Sequence, residues 1–362
     1  MGSKDEEYME RALELARGPA ATSPNPRVGA VLVRAGEIIG EGAHEGSGTP
    51  HAEAVALEGA DARGATLYVT LEPCAHFGKK PPCTDAIIAS GVTRVVAAIE
   101  DPDERVRGRG FAALRAAGIE VSEGTCAAEA EKLNAPFLHH RRSGKPYVTL
   151  KLALSLDGRM AAPDGSSRWI TGPLARRHVH ARRLESDMVL VGAGTVLADD
   201  PSLLVTEVPA TRQPLRAVVD SRGVVPPTAR ILDGAAKTLI ATTHASSHEI
   251  QTAWKEAGAE VLVLSGSEGD VDLAELLETL GRREVVEIYC EGGARLATSL
   301  LGQGLVNRLE VFHAPLLLGA GGPALGDLGI KAIGDASAWT VEDVERVEDD
   351  VLTILTPPGN VH

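Results

Sequence analysis

The sequence predicts an α/β protein of two domains. Its 362 residues exceed the ~250–300 at which a single core usually stops growing. Short apolar runs of strand length alternate with segments of helical length, which is typical of sheets covered by helices on both faces. A polar stretch with Gly and Pro (HHRRSGKP, 139–146) interrupts this alternation and predicts a boundary between residues 145 and 146. No repeat relates the halves, so we expect two different folds with different chemistry.

The first domain is predicted to alternate helices and strands. Met9, Leu13 and Ala16 share one face of the first helix. Two short strands flank the turn at 34–36, and Pro50 marks the start of the second helix. We expect helices at 9–17, 51–57, 84–90 and 111–117, and strands at 28–33, 38–40, 65–71, 92–99 and 119–122.

The same alternation continues after residue 146. Helices are expected at 174–185, 249–256, 273–280 and 296–301. Strands are expected at 147–154, 188–191, 215–219, 237–242, 260–264, 285–290 and 308–312, and the run 352–355 is predicted to close an edge of the sheet.

Charge and composition indicate a small-molecule enzyme. The formal charge is −14, from 50 acidic and 36 basic residues, and aromatic residues make up 3%. A nucleic-acid partner requires a basic surface, which this composition disfavours. No apolar run approaches the ~20 residues of a membrane helix, so no membrane partner is expected. Four cysteines in a long chain with no signal peptide predict a reducing, cytoplasmic location.

A histidine, a carboxylate and two cysteines form the strongest chemical motif. His51, Cys74 and Cys83 could hold zinc tetrahedrally and leave the fourth position for water. Zinc lowers the pKa of such a water to ~7. Glu53 would carry protons to a ring nitrogen and to the departing ammonia, its role in zinc deaminases. The general signature has two residues between the cysteines, whereas this chain has eight.

The main alternative is a structural zinc, which would require four protein ligands. His76 could be the fourth, but Glu53 beside an open coordination position favours catalysis. Cys74 and Cys83 lie among Pro, Lys and polar residues at element ends, unlike the buried apolar cysteines that Cys126 and Cys290 are expected to be. Cys83 also directly precedes a predicted helix, which favours the thiolate.

The segment 285–301 (VVEIYCEGGARLATSLL) predicts a strand, two glycines and a helix. Such glycines let a backbone approach a phosphate at the amino end of a helix. A tight helix entry is the alternative, and Gly292-Gly293 alone favours it. The chain has no Gly-x-Gly-x-x-Gly after a first strand, so a Rossmann domain is disfavoured.

Several segments resemble the bifunctional riboflavin-biosynthesis deaminase–reductases. In the first half they are 25–31 (NPRVGAV), 44–53 (HEGSGTPHAE) and 70–83 (TLEPCAHFGKKPPC), with the eight-residue gap usual in that family. In the second half they are 151–159 (KLALSLDGR), 167–171 (SRWIT), 192–201 (GAGTVLADDP) and the Glu-Gly-Gly segment. The resemblance extends from about residue 10 to the carboxyl terminus. It implies a cytidine-deaminase-like α/β/α sandwich at 1–145 and a dihydrofolate-reductase-like α/β domain at 146–362.

The resemblance also implies site residues. Zinc would be bound by His51, Cys74 and Cys83, with Glu53 catalytic, and the deaminase substrate by Asn25, His44, His76 and Lys79. NADPH would be bound by Ala153, Trp169, Thr195, Asp199, Ser221, Gly293, Ala294, Arg295, Leu296, Ala297, Thr298 and Ser299, and the reductase substrate by Ser167, Arg183, Leu203 and Glu291. Thr206 stands where the family commonly has an arginine suited to a phosphate, and Arg176, Arg183 or Arg212 could replace it.

The implied function is two consecutive steps of riboflavin biosynthesis. The exocyclic 2-amine of 2,5-diamino-6-ribosylamino-4(3H)-pyrimidinone 5′-phosphate would be hydrolysed, and NADPH would then reduce the ribosyl group to ribityl, with Lys151 and Asp199 as candidates to aid ring opening. A homo-oligomer, dimer or tetramer, is expected from the family. One alternative is a deaminase of nucleosides, nucleotides or nucleic acid whose carboxyl half only assembles subunits. Another is a non-catalytic zinc module.

Overall fold

The chain folds into two compact α/β units, which confirms the predicted fold class. The computed structural model describes residues 4–19, 21–76, 81–104, 106–267 and 269–358. One unit ends at Gly144 and the other begins at Lys145. Gly144 has a φ of +70° and ends the last helix of the first unit.

The first unit is built on a five-stranded mixed sheet. Its helices are α1 (Lys4–Arg17), α2 (Ala52–Leu57), α3 (Cys83–Ser90), α4 (Arg109–Ala116), α5 (Ala127–Leu133) and α6 (Ala135–Ser143). Its strands are β1 (Gly29–Arg34), β2 (Glu37–Ala43), β3 (Thr66–Leu71), β4 (Arg94–Ile99) and β5 (Glu120–Glu123), in the order β2-β1-β3-β4-β5. Strand β1 is antiparallel to both neighbours, whereas β3, β4 and β5 are parallel. Helices must therefore connect the last three strands, and α3 and α4 do so.

A close approach of α2 to β2 positions the first turn of α2. A Cβ atom on Gly42 would lie 2.2 Å from the carbonyl oxygen of Ala52. Only glycine lets the two backbones approach so closely. His51 and Glu53 flank Ala52, so this contact fixes the elements that carry two of the predicted site residues.

Helices α5 and α6 were not predicted, and the expectation that 139–146 is an irregular stretch was wrong for residues up to Ser143. The junction of the two helices is fixed by a distant residue. The Asn134 side chain accepts a hydrogen bond from the backbone N–H of Arg27 (2.8 Å) and donates one to its carbonyl (2.9 Å). Phe137 and Leu138 are buried at the start of α6. A contact across 107 residues leaves no local pattern in the sequence.

The second unit contains a nine-stranded sheet. Its helices are α7 (Pro173–Glu185), α8 (Ala193–Asp199), α9 (His248–Glu256), α10 (Leu273–Gly281) and α11 (Ala294–Gly302), with 3₁₀ turns at Arg230–Leu232 and Ile333–Asp335. Its strands are β6 (Tyr147–Ser155), β7 (Arg159–Ala161), β8 (Met188–Gly192), β9 (Leu215–Val219), β10 (Thr238–Thr242), β11 (Glu260–Val263), β12 (Gly266–Ser267), β13 (Asp270–Val271), β14 (Glu287–Cys290), β15 (Arg308–Ala314), β16 (Gly322–Pro323), β17 (Thr340–Val347) and β18 (Asp350–Thr356). The sheet order is β11-β10-β9-β8-β14-β6-β15-β18-β17, and β12–β13 and β7–β16 form two separate pairs.

The seven strands from β11 to β15 are parallel, and their carboxyl ends meet at one edge of the sheet. Helices α8 and α11 begin directly after β8 and β14 at this edge. Ligands of open parallel sheets bind at such an edge. The second predicted site should therefore lie between the starts of α8 and α11.

The structure corrects one expectation for the second unit and adds a helix that was not predicted. The edge strand is β17, and β18 (the predicted edge, 352–355) lies between β15 and β17. Most residues of β17 (TVEDVERV) are exposed, and charges on an edge strand discourage pairing with other chains but obscure the strand pattern. Helix α8 was not predicted; its residues were noted only as part of the segment 192–201. Within the described ranges, no helix is both long and apolar enough to cross a bilayer.

Candidate metal centre and dinucleotide cleft

Three side chains from separate elements of the first unit form a candidate metal centre. His51 precedes α2, Cys74 follows β3, and Cys83 is the first residue of α3. Their ligand atoms all lie within 4.8 Å of one another. His51 Nδ1 is 3.1 Å from Cys83 Sγ and 3.6 Å from Cys74 Sγ. One imidazole and two thiolates are a donor set that zinc prefers.

Hydrogen bonds to Cys74 prepare this thiol for a metal. The Cys83 thiol and the His51 ring lower the pKa of the Cys74 thiol, against the effect of burial. The backbone N–H of Cys83, in the first turn of α3, also donates to Cys74 Sγ at 3.3 Å. Thiolate is the form that binds metal, so the cluster suits a divalent cation.

Glu53 lies in the first turn of α2 and is 4% exposed. Burial raises the pKa of its carboxyl, and the charges of the Cys74 and His51 side chains also act on it. Among the residues described, no further His, Cys, Asp or Glu joins the three ligands. The four-ligand alternative with His76 therefore has no support here, and the set leaves a coordination position for water.

Two of the predicted deaminase contacts lie beside the candidate metal ligand His51. His44 Nδ1 is 3.0 Å from the carbonyl of Pro50 and so carries the proton, which leaves Nε2 to accept from Asn25 Nδ2 at 2.9 Å. The rings of His44 and His51 meet edge to face, with centroids 5.4 Å apart. His76 Nδ1 is buried with no hydrogen-bond partner in the described part of the chain. Lys79 lies outside the described residues.

Sequence reasoning missed Glu72, which supports the loop that carries Cys74. Its buried carboxylate accepts hydrogen bonds from four backbone N–H groups, those of Asp101 (3.2 Å), Gly108 (2.9 Å), Gly110 (2.8 Å) and Phe111 (3.3 Å). These bonds tie the β4–α4 connection to the residue that precedes Pro73-Cys74. The available signal was a carboxylate directly after a strand that is mostly buried, where an unpaired charge would be costly.

In the second unit, two neighbouring cavities form a cleft at the carboxyl ends of β8 and β14. The outer cavity, of about 800 Å³, extends to the loop after β9 and to β13. The inner cavity, of about 610 Å³, extends toward α7 and the carboxyl-terminal half of β6. Gly194, Thr195 and Gly293 line both. Each cavity has the size of a typical ligand site, so the two together can accommodate a dinucleotide and a substrate.

Most of the predicted NADPH residues line this cleft. Thr195 and Gly293 line both cavities; Ser221, Ala294, Arg295, Leu296 and Ser299 line the outer one; Ala153, Trp169 and Asp199 line the inner one. Ala297 and Thr298 line neither cavity. Ala297 is fully buried, and the Thr298 hydroxyl donates to the Ala294 carbonyl at 2.6 Å and accepts from the N–H of Gly326 at 2.7 Å. These two residues therefore stabilise the first turns of α11 and do not line the cleft.

The four predicted reductase-substrate residues, Ser167, Arg183, Leu203 and Glu291, all line the inner cavity. Arg183 binds Glu291 through Nε (2.5 Å) and Nη2 (3.0 Å), and its Nη1 donates to the Leu204 carbonyl. Burial opposes ionisation of Glu291, but the charge of Arg183 outweighs it and lowers the pKa of the carboxyl. Lys151 lines the same cavity, and burial lowers the pKa of its ammonium group.

The three arginines considered as replacements at Thr206 differ in position. Arg212 does not line the inner cavity, since its Nη2 donates to the carbonyls of residues 184, 185 and 186 at the end of α7. Arg183 is held by Glu291. Arg176 lines the cavity with Thr206, and its guanidinium lies 4.5 Å from the centre of the Trp169 ring. Its Nη1 donates to the carbonyl of Thr171 at 3.2 Å, and its Nε lies 3.8 Å from Glu207, a long ion pair.

Comparisons with known proteins agree with this two-part architecture. Residues 2–99 match the family model of the cytidine and deoxycytidylate deaminase zinc-binding region, and residues 146–353 match that of the RibD C-terminal domain. The riboflavin biosynthesis protein RibD of Escherichia coli is 46% identical, over 97% of this chain and 99% of that protein. RibD of Acinetobacter baumannii has a similar structure (TM-score 0.88, 38% identity, 98% and 99% coverage). So does a diaminohydroxyphosphoribosylaminopyrimidine deaminase/5-amino-6-(5-phosphoribosylamino)uracil reductase of Thermotoga maritima (TM-score 0.85, 36% identity, 98% and 99% coverage).

Proposed function

The chain belongs to the family of riboflavin biosynthesis protein RibD, the bifunctional deaminase–reductases, and from this membership we propose how its two halves divide the work. Residues 1–145 use zinc to deaminate 2,5-diamino-6-ribosylamino-4(3H)-pyrimidinone 5′-phosphate. Residues 146–362 use NADPH to reduce the ribosyl group of the product to ribityl. One observation carries the proposal. The same chain contains the His51–Cys74–Cys83 cluster beside buried Glu53 and a cleft large enough for a dinucleotide.

In the deaminase half, His51, Cys74 and Cys83 would hold zinc, and the bound metal would lower the pKa of a coordinated water to ~7. Glu53 would take one proton from the water and give it to the ring nitrogen, and would then move the second proton, from the hydroxyl left on the ring carbon, to the leaving amine. Asn25 and His44 orient the pyrimidine, because their mutual hydrogen bond fixes both groups beside His51. The buried His76 Nδ1 offers the substrate a further polar contact, and Lys79 binds its phosphate.

In the reductase half, NADPH supplies a hydride to C1′ of the substrate. The amino end of α11, after Gly292-Gly293, binds the cofactor diphosphate through free backbone N–H groups. Ala153 and Trp169 of the inner cavity would hold the nicotinamide next to the substrate residues that line the same cavity. Lys151 and Asp199 move protons during opening of the ribosyl ring.

A deaminase with a carboxyl half that only assembles subunits is disfavoured, because assembly does not require a cleft that brings together ten of the twelve predicted cofactor residues. A homo-oligomer, dimer or tetramer, and a cytoplasmic location complete the proposal.

A coupled assay tests both activities in one reaction. With the diamino substrate, we expect one ammonia released for each NADPH oxidised, with ammonia appearing first. With the deaminated intermediate, NADPH should be oxidised with no ammonia. Absence of NADPH oxidation at every concentration of the intermediate would contradict the bifunctional assignment.

Arg176 is expected to bind the substrate phosphate in the reductase site. Replacing Arg176 with Gln should raise the KM for the deaminated intermediate by about tenfold or more, since a charged hydrogen bond to phosphate is lost. The matched control is Arg177→Gln, an exposed neighbour on the same helix that should leave KM unchanged. Thr206→Arg should lower KM by adding a second cation to the same cavity. Equal KM values for Arg176→Gln and the control would contradict this role.

A further inference from the structure

We infer that Arg222 binds the 2′-phosphate of the nicotinamide cofactor and thereby makes this reductase prefer NADPH to NADH. The inference rests on the proposed function and extends it to a residue that no motif in the sequence singled out. NADPH differs from NADH only by a phosphate on the adenosine ribose, so discrimination requires a cation at the adenosine end of the cleft.

The outer cavity is the adenosine end. Gly194, Thr195 and Gly293 line both cavities, next to the amino end of α11, where the diphosphate would lie. With the nicotinamide in the inner cavity, the adenosine must extend into the outer one. The outer cavity is completed by residues 219–224, after β9, and by residues 270–273, around β13.

Among the described residues, the cations that line the outer cavity are Arg222 and Arg295. The Nη2 atom of Arg295 donates to both carboxylate oxygens of Asp270, at 2.7 and 2.8 Å. The guanidinium of Arg222 is exposed and has no hydrogen-bond or ion-pair partner in the part of the chain that the structure describes. Arg222 is therefore the lining cation that can bind an added phosphate without first giving up a carboxylate.

The backbone around Arg222 is fixed although its side chain is not. The carboxylate of Asp220, itself 1% exposed, accepts hydrogen bonds from the N–H groups of Arg222 (3.3 Å), Gly223 (2.9 Å) and Val225 (2.7 Å). Gly223 has a φ of +78°, and a Cβ there would lie 2.8 Å from Ile250 Cγ2. This turn is therefore restricted to glycine and holds the Cα of Arg222 at the cavity wall.

Ser221 adds a neutral donor at the same place. Its Oγ accepts a hydrogen bond from the N–H of Val271 at 3.1 Å, and the hydroxyl hydrogen can still be donated to a ligand. A serine hydroxyl beside an arginine is a suitable pair for a phosphate monoester.

Carboxylates in the outer cavity would favour NADH if they bound the ribose 2′-hydroxyl, as in dehydrogenases specific for NAD. Asp270 and Asp272 both line this cavity. Asp270 is engaged by Arg295, and Asp272 caps α10 by accepting the N–H of Glu275 at 3.0 Å. Both carboxylates thus have structural partners, which favours the phosphorylated cofactor.

Calorimetric titration of the full-length chain with adenosine 2′,5′-bisphosphate and with 5′-AMP tests the inference without turnover. The wild-type protein should bind the bisphosphate more tightly. Arg222→Gln should weaken binding of the bisphosphate by about tenfold or more, because a charged hydrogen bond to its 2′-phosphate is lost. The affinity for 5′-AMP, which lacks that phosphate, should fall by less than about twofold. Arg222→Lys should restore part of the difference. The matched control is Arg282→Gln, an exposed arginine outside both cavities, which should change neither affinity.

The outcomes separate this inference from the proposed reductase activity. Equal binding of the two nucleotides by the wild-type protein, or equal losses for both in Arg222→Gln, would overturn the role of Arg222 even if the enzyme oxidises NADPH. Selectivity that depends on Arg222 would support the inference even if the deaminated intermediate is not reduced, in which case the reductase proposal fails alone.

Discussion

Replacing Glu53 with Gln is expected to lower deamination by about two to four orders of magnitude, the contribution typical of a general acid–base group. Gln has nearly the same shape as Glu, and at 4% exposure the side chain is held by its surroundings, so the metal cluster should keep its geometry. The amide cannot accept a proton from water or deliver one to the leaving amine. The measurement is ammonia release alongside the zinc content of the purified protein.

Two controls make this result specific. Glu58→Gln makes the same chemical change at an exposed position at the end of α2 and should leave ammonia release unchanged. NADPH oxidation by Glu53→Gln, with the deaminated intermediate supplied, should equal that of the wild-type protein, because the second unit carries that site. Ammonia release within tenfold of wild type by a variant that keeps its zinc would show that Glu53 is not the proton carrier assigned here.

The metal centre could be predicted from sequence because residue type alone limits its chemistry. A histidine and two cysteines at element ends have few uses other than metal binding, and the three ligand atoms do meet. The role of Glu72 could not be predicted in the same way. Its function depends on four N–H groups that lie 29 to 39 residues further along the chain. A buried carboxylate can be expected to have partners, but the sequence does not name them.

The reductase site shows a different limit. The segment 293–299 was predicted as a block of cofactor contacts, yet helical geometry turns Ala297 and Thr298 away from the cleft. The sequence also could not rank Arg176, Arg183 and Arg212, since their difference lies in what each guanidinium already binds. The partners of each arginine depend on the tertiary structure, and they determine which guanidinium is available to bind a ligand.

A buried charge network next to the cleft was likewise absent from the sequence analysis. Arg182 of α7 donates through Nε to Glu310 at 3.0 Å and through Nη2 to Glu287 at 2.6 Å, and its Nη1 binds Glu185. Glu310 also accepts the hydroxyl of Tyr289 at 3.0 Å and is 2% exposed. One guanidinium thus neutralises carboxylates on both β14 and β15 and fixes α7 against the sheet. The next residue of α7 is Arg183, which lines the inner cavity.

Replacing Arg182 with Met should therefore destabilise the second unit by about 3–5 kcal/mol, because Glu287 and Glu310 would be left buried without their cation. All three tryptophans lie after residue 145, so tryptophan fluorescence during urea unfolding reports this unit alone. Arg177→Met, the same change at an exposed site on α7, should cost less than about 0.5 kcal/mol. Equal midpoints for the two variants would mean that the network does not hold α7. A lower midpoint for Arg182→Met alone would mean that Arg182 fixes the position of α7. Arg183 lines the inner cavity from this helix, so its position would then depend on the contacts of Arg182.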